Sequence, residues 1–349
     1  MSMLRRKMMA TTPEVIVFED ANVKALCVSN WGGKYVTGEI TKKEAAAVTS
    51  IGTVFKGNTT ITKFNELEYF TGLRGLNDAF NGCSALTQIK LPHTTYSGNF
   101  SLYRTFYNCS AITGTLDCSP IKANTVTSIS ECFYACHART LIMPTTNRIN
   151  QQIGWCFRGI RSVTLDLSPL AGSHLTIPNY CFYGWNNVTT FITTGVYING
   201  ANDNVILWHN ANPCPVTTFI GGFMGWNKDL NLTYMPNIGH DGAMEVINSL
   251  PTVTEKTLTF PSVLYGTLTS AEAAIAVNKG WVGTGLWQKT ILNGINMPFG
   301  FGSAVSGGTN WFNINNNISA QVLYDDVDVT STAVVNGQVI MSNTAENKI

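Results

Sequence analysis

Residues 131–144 read Glu131-Cys132-Phe133-Tyr134-Ala135-Cys136-His137-Ala138-Arg139-Thr140-Leu141-Ile142-Met143-Pro144. A small residue precedes Phe133, a thiol follows it three positions on, and an apolar alternation then runs into a proline. The same pattern recurs at Ala79-Phe80-Asn81-Gly82-Cys83, Thr105-Phe106-Tyr107-Asn108-Cys109 and Cys156-Phe157-Arg158-Gly159-Ile160. It continues at Cys181-Phe182-Tyr183-Gly184-Trp185 and Gly222-Phe223-Met224-Gly225-Trp226, with a degenerate first copy at Val54-Phe55-Lys56-Gly57-Asn58. The phenylalanines stand at 55, 80, 106, 133, 157, 182 and 223, in steps of 25, 26, 27, 24, 25 and 41. Five of the six steps fall in the period of leucine-rich repeats, about 20–29 residues. The long last step predicts an irregular copy or an insertion around 196–215.

Each Phe block leads into a short piece such as Thr87-Gln88-Ile89-Lys90-Leu91-Pro92, Thr140–Pro144 or Val163-Thr164-Leu165-Asp166-Leu167. Apolar residues two apart share one side of a strand. Proline ends the strand because it has no N–H for the ladder. One such unit cannot bury its own apolar side, so neighbours must stack at about 4.8 Å per strand. Roughly eight turns predict a rod of about 40 Å, with the Phe rings in register inside it.

These Ala-Phe-x-x-Cys blocks and Leu/Ile-x-Leu/Ile-Pro strands resemble the BspA-like leucine-rich repeat proteins of Bacteroides-type bacteria and their phages. The resemblance covers roughly 14–285, although Thr113–Leu116 and Thr189–Ile192 lack the proline. It implies an α/β-type solenoid of short parallel strands. The expected divisions are a helical N-terminal cap over 1–50, a leucine-rich repeat array over 51–285 and a small mostly-β module or docking arm over 286–349.

The cap carries a second resemblance. Trp31–Glu44 is similar to an EF-hand or dockerin loop, with Gly38 at the sharp turn, Ile40 in the small sheet and Glu44 at the last ligand position. A working loop needs oxygen ligands at its first, third and fifth positions. Gly33, Tyr35 and Thr37 stand there, so no calcium is expected. A helix over Lys42–Val48 is expected to lie on the first repeat. At the other end the sequence predicts a helix over Asp241–Leu250, a strand over Thr257–Phe260 and a helix from an N-cap at Ser270 to Gly280. Such a helix–strand–helix order closes repeat arrays in the resembling family. The alternations Ile318–Val329 and Thr332–Met341 read as β.

The chain has 349 residues, 22 Lys+Arg against 21 Asp+Glu, and only 12% charged residues. About 25% is usual. That balance excludes a nucleic-acid partner held by a basic face, and 44% hydrophobic residues exclude a disordered coil. Leu4-Arg5-Arg6-Lys7 is followed by Thr11-Thr12-Pro13-Glu14 soon after, and not by the apolar core of a secretory signal. No membrane insertion is expected, since no run approaches the roughly 18 apolar residues of a span.

Of the nine cysteines, Cys83, Cys109 and Cys136 sit three after a Phe, and Cys132, Cys156 and Cys181 sit one before. Repeat-locked thiols predict buried filler, and Trp185 and Trp226 share the slot of Cys83. Cys132 and Cys136 lack a second pair at zinc spacing, so no metal and no cofactor are expected. No Gly-x-Ser-x-Gly, phosphate loop or His-Glu-x-x-His occurs. The histidines at 93, 137, 174, 209 and 240 select no Cys/His pair. Asp117 and Asp166 occupy like points of different turns and are weighed as a glycosidase pair, with solvated sheet residues the favoured reading. Asp325, Asp326 and Asp328 are weighed as a cation site and read as a solvated turn.

The expectation is a protein that is not an enzyme. The favoured function is a phage virion component, namely a head-fibre, tail-fibre or surface-decorating protein that recognises a host glycan or protein. It would assemble in the host cytoplasm with other virion proteins through its C-terminal region, as a homo-oligomer. The alternatives are a BspA-like adhesin on the bacterial cell surface and, third, a polysaccharide-degrading enzyme. The sequence picks out no catalytic, metal, cofactor or ligand-binding residue.

Overall fold

The blocks around Phe80, Phe106 and Phe133 fold into runs of tight turns whose amides alternate between two kinds of partner. In the block around Phe133, the N–H groups of Cys132, Tyr134 and Cys136 donate three residues back, to Ile129, Glu131 and Phe133. Those of Glu131, Phe133 and Ala135 donate to the next block, to Gly154, Cys156 and Arg158, at 2.7, 3.1 and 2.8 Å. The block around Phe106 repeats this pattern, with Arg104, Phe106 and Asn108 donating to Ser130, Cys132 and Tyr134. Every amide is therefore bonded, half within a turn and half between repeats, as buried backbone requires.

The geometry needs left-handed backbone at two points, two residues before and two after Phe80, Phe106, Phe133 and Phe157. Arg104 and Asn108 have φ of 51° and 57°, Glu131 and Ala135 53° and 49°, and Trp155 and Gly159 48° and 70°. Non-glycine residues adopt that conformation at a cost of roughly 1–2 kcal/mol. At Arg104, Asn108, Glu131 and Ala135 the residue's own N–H makes an inter-repeat bond that holds it there.

The computed structural model describes residues 12–94, 98–123, 125–146, 150–178, 181–201, 214–264 and 267–282, with seven strand segments between 287 and 342. The chain divides into two compact units, 1–173 and 174–349.

In the first unit, helix α1 (Ala21–Trp31) starts at Asp20 and helix α2 (Lys42–Ala47) at Thr41. Asp20 is buried and works twice. One oxygen accepts the Asn22 and Val23 amides at the helix start, and the other accepts Thr62 N–H and Oγ–H at 2.7 and 2.9 Å. Burial pushes its carboxyl up, but these bonds outweigh it and the pKa is lowered.

The repeats then pair in parallel. Strand β1 (Lys63–Phe64) pairs β2 (Gln88–Ile89), with Phe64 opposite Ile89. β3 (Asn99–Ser101) runs before the next block, and β4 (Thr115–Asp117) and β5 (Lys122–Ala123) after it. β6 (Thr125–Ser128), β7 (Thr140–Ile142) and β8 (Thr145–Thr146) pair them in turn. β9 (Asn150–Gln152) and β10 (Thr164–Asp166) complete the unit. Inward residues meet in register, Phe100 with Val126 and Leu116 with Leu141.

The rings of Phe80, Phe106, Phe133 and Phe157 stack at 5.9, 6.2 and 6.1 Å, within 16° of parallel. Phe55 joins at 5.7 Å, tilted 30°. The internal ring column expected from the spacing is present over these five repeats.

In the second unit, β11 (His174–Ile177) pairs β13 (Tyr197–Gly200), and β12 (Thr190–Ile192) pairs β14 (Thr218–Ile220), again in parallel. Phe191 and Phe219 face each other at 5.4 Å. Residues 202–213, most of the expected insertion, lie outside the described residues.

Helix α3 (Gly239–Ser249) then closes the turn row. Glu245 and Ser249 accept the amides of Gly221 and Phe223 at 2.9 and 2.8 Å, which a further turn block would otherwise receive. Gly222 has no side chain because a Cβ there would collide with Ser249 Oγ. Parallel strands β15 (Leu230–Asn231), β16 (Lys256–Thr259) and β17 (Trp281–Val282) alternate with α3 and helix α4 (Ser270–Asn278). The expected helix–strand–helix order is present. The cap of α4 is Thr269, not Ser270, in a reciprocal capping box with Glu272.

The remaining strands are antiparallel: β18 (Trp287–Leu292) with β19 (Ile295–Gly300), β20 (Thr309–Asn313) with β24 (Gln338–Ser342), β21 (Leu323–Tyr324) with β22 (Val327–Asp328), and β23 (Val334–Val335) with β24.

The α/β-type expectation needs correction within the repeats. Among the described residues between 51 and 238, only short 3-10 segments at Asn65–Tyr69 and Ser168–Leu170 are helical. Two left-handed residues per block interrupt any longer helical run.

Candidate functional site

The turn ladder fixes which block residues face outward. The Phe and the residues one before and three after it are buried at Ala79, Phe80 and Cys83, at Thr105, Phe106 and Cys109, and at Cys132, Phe133 and Cys136. The residues two before and one after the Phe lie outside, in rows along successive repeats.

In the first unit those rows carry aromatic and arginine side chains. Tyr107 and Tyr134 stack at 4.5 Å, close to the roughly 4.8 Å strand spacing. Arg104 lies 5.1 Å from the Tyr103 ring and 5.7 Å from Tyr107. Arg158 lies 5.4 Å from both Tyr134 and Trp155. The order Arg104–Tyr107–Tyr134–Arg158 is thus a continuous column of planar groups. Glu131 fixes its near end, accepting Arg104 Nε and Nη2 at 3.0 and 2.9 Å. A bidentate pair of this kind holds geometry more firmly than a single contact. Burial, then the Tyr134 and Glu131 charges, push the Tyr107 phenol up.

Ring faces in this column are occupied by one another and by guanidinium groups. What it offers outward is ring edges, phenol hydroxyls and guanidinium N–H groups at fixed spacing, with Trp155 exposed beside them. That suits contact with a polyhydroxylated or polar partner through stacking edges and hydrogen bonds.

The thiols lie inside the protein. All nine are buried, and none is in a disulfide. Cys83 Sγ donates to the Phe55 carbonyl at 2.9 Å and Cys109 Sγ to the Phe80 carbonyl at 3.1 Å. Burial pushes Cys83 and Cys214 up to about 12, Cys136 up to about 11, and Cys27, Cys109, Cys118 and Cys132 higher than their ordinary range. Burial of this kind disfavours the thiolate, which is the reactive form. Among the described residues no three His, Cys, Asp or Glu side chains gather as a metal site.

Asp117 and Asp166 each serve their own turn, accepting the Ser119 and Ser168 amides at 2.9 and 2.8 Å. Ile142, paired to Asp117 across β4 and β7, is partly exposed on the same face. His137 is pushed toward its neutral form by burial and by Arg161. Asp325 and Asp326 lie outside the described residues, as does His209.

The EF-hand-like loop has the expected skeleton. Gly38 has φ 75°, Ile40 accepts the Ile16 amide at 2.9 Å, and Glu44 is buried. Its carboxylate is already engaged. One oxygen accepts the Lys34 and Tyr35 amides at 2.7 and 3.3 Å, and the other accepts Thr41 N–H and Oγ–H, both at 2.7 Å. Burial raises its pKa, but the Thr41, Lys34 and Tyr35 bonds outweigh it and hold the carboxyl below its ordinary value. The protein's own N–H groups stand where a cation's charge would be.

The outward column has a partial sequence signature, the tyrosine that follows the Phe at 107, 134 and 183. The block register makes Tyr107, Tyr134 and Arg158 equivalent, and the buried Phe places them outside. No helix among the described residues is long and apolar enough to cross a membrane. The chain matches no protein-family model, and comparison with curated proteins finds no relative.

Proposed function

We propose that this chain is a non-catalytic interaction protein whose repeats stack as a BspA-like leucine-rich repeat solenoid. Its place is the surface of a phage particle, as a head-fibre, tail-fibre or decorating protein that meets a host glycan or protein. Residues 286–349 join it to other virion proteins or to further copies of itself.

The observation that supports this reading is the Arg104–Tyr107–Tyr134–Arg158 column. It stands on a scaffold whose backbone bonds and ring column are complete without it. Outward residues on such a scaffold can change without disturbing the core, which suits a surface under selection for partner choice. Buried thiols and carboxylates engaged in local turns are in keeping with a role without chemistry.

Two measurements test it. Mass spectrometry of purified particles from the source should detect the chain as a stoichiometric component. Replacing Tyr107 and Tyr134 together by alanine should abolish binding to host surface material and leave the melting temperature within a few degrees. A chain absent from particles overturns the virion assignment, and unchanged binding by the double variant overturns the column as the contact surface.

A further inference from the structure

The N-terminal cap holds a cleft that neither the column nor the repeats explain. It has a volume of about 420 Å3, within the roughly 300–1,000 Å3 of small-molecule sites. Trp31 forms one wall, anchored from behind by Phe55 at 6.3 Å and by the edge-on Phe70 ring at 5.8 Å. Tyr35 forms another and is exposed; its amide and that of Lys34 are pinned to Glu44. Thr49 and Ser50 supply hydroxyls at the rim.

Two cations converge on this cleft. Lys43 Nζ is 4.9 Å and Lys34 Nζ 5.6 Å from the centre of the same Tyr35 ring. Among the described residues no carboxylate lies within ion-pair distance of either. The one carboxylate in the lining, Glu44, is saturated by four donors. In a chain with 22 basic against 21 acidic residues, two like charges gathered at one ring lack a local partner. The missing component has negative charge. Two aromatic walls add a preference for the C–H face of a ring, and the rim hydroxyls for a polyol.

We propose that this cleft binds a carboxylated saccharide unit of the uronic-acid type. The Lys34 and Lys43 ammonium groups meet the carboxylate, and the Trp31 and Tyr35 rings lie against the sugar. The loop that resembles a cation site thus serves an anion, its acidic ligand position given over to holding the loop amides. The inference rests on the cap alone and stands apart from the reading of the column.

The test is a titration of the full chain with D-glucuronate, D-glucose and inorganic phosphate, followed by amide and indole NMR shifts. Glucuronate should shift the Trp31 indole and the Lys34 and Tyr35 amides, more weakly at about 500 mM than at about 50 mM salt as screening requires. Replacing Lys34 and Lys43 together by alanine should weaken it at least about tenfold, or 1.4 kcal/mol. Both side chains are exposed, and a matching melting temperature will show that the fold is kept. Tyr35→Ala, which keeps both cations, should remove the preference for glucuronate over phosphate. Equal binding of glucose, binding of phosphate as tight as glucuronate to the native chain, unchanged affinity in the double lysine variant, or no shift at all would each overturn the proposal.

Discussion

Phe133→Ala removes the middle ring of the column. Phe133 is fully buried, with Phe106 at 6.2 Å on one side and Phe157 at 6.1 Å on the other, both near parallel. Phe→Ala in a core costs about 3–5 kcal/mol, a transfer loss plus a cavity penalty that depends on how far neighbours relax. Relaxation is restricted here. The blocks above and below are tied by the Phe106 N–H to Cys132 and Phe133 N–H to Cys156 bonds, at 2.9 and 3.1 Å. Two ring pairs, worth about 0.5–1.5 kcal/mol each beyond area, are lost together. The upper half of the range, about 4–5 kcal/mol, is therefore expected. Urea unfolding followed by both tryptophan fluorescence and circular dichroism measures it, two probes guarding against stepwise loss of repeats. Tyr134→Ala, next in sequence but outside, is the control and should cost about 1 kcal/mol or less. A Phe133→Ala loss below about 1 kcal/mol, or one no larger than the control's, would refute the internal column.

Other outcomes follow from the same geometry. Ala135 has φ 49° where other repeats use Gly82 and Gly159, so Ala135→Gly should raise stability by about 0.5–1 kcal/mol, read as a higher urea midpoint. Alkylation of the native chain at pH 8 should leave Cys83, Cys136 and Cys214 unmodified, their thiols being buried and pushed up to about 12, 11 and 12, while denatured chain reacts at once. His240 contacts Asp241 at 3.3 Å and Glu272 at 3.1 Å, and these bonds raise its pKa. A raised folded pKa means stability fully present below the unfolded value, near 6.5, and lost as pH rises through the folded value. The pair is exposed, so the effect should be well under about 1 kcal/mol, seen as a small fall in melting temperature above pH 6.5 that His240→Ala abolishes.

The core was the legible part of the sequence. Phe55 to Phe157 recur at near-constant intervals because each ring fills the same slot, and the thiols beside them recur for the same reason. Strand pieces were legible where Leu or Ile alternates, as at Thr140–Ile142, and illegible at Thr125–Ser128, whose threonines and serine give no apolar contrast. The turn ladder was hidden because its left-handed positions are filled by Gly82, Asn108, Ala135 and Gly159 in turn; the recurring Gly at that place was the available signal. In the C-terminal segment, Asn293-Gly294 separates β18 from β19 and Asn336-Gly337 separates β23 from β24, the dipeptide that favours two-residue hairpins. Asn336-Gly337 lies within the alternation Thr332–Met341 and marked a strand end there. The Arg–Tyr column was legible only in part: tyrosine follows the Phe at 107, 134 and 183, but Arg158 takes that place after Phe157 and Arg104 stands two before its Phe.

The most direct measurement is ring-to-ring NOE spectroscopy on deuterated chain carrying protonated phenylalanine. The turn-ladder architecture requires a chain of cross-peaks in the order Phe80, Phe106, Phe133, Phe157. Rings that show exchange contacts with water, or cross-peaks that skip this order, would contradict it.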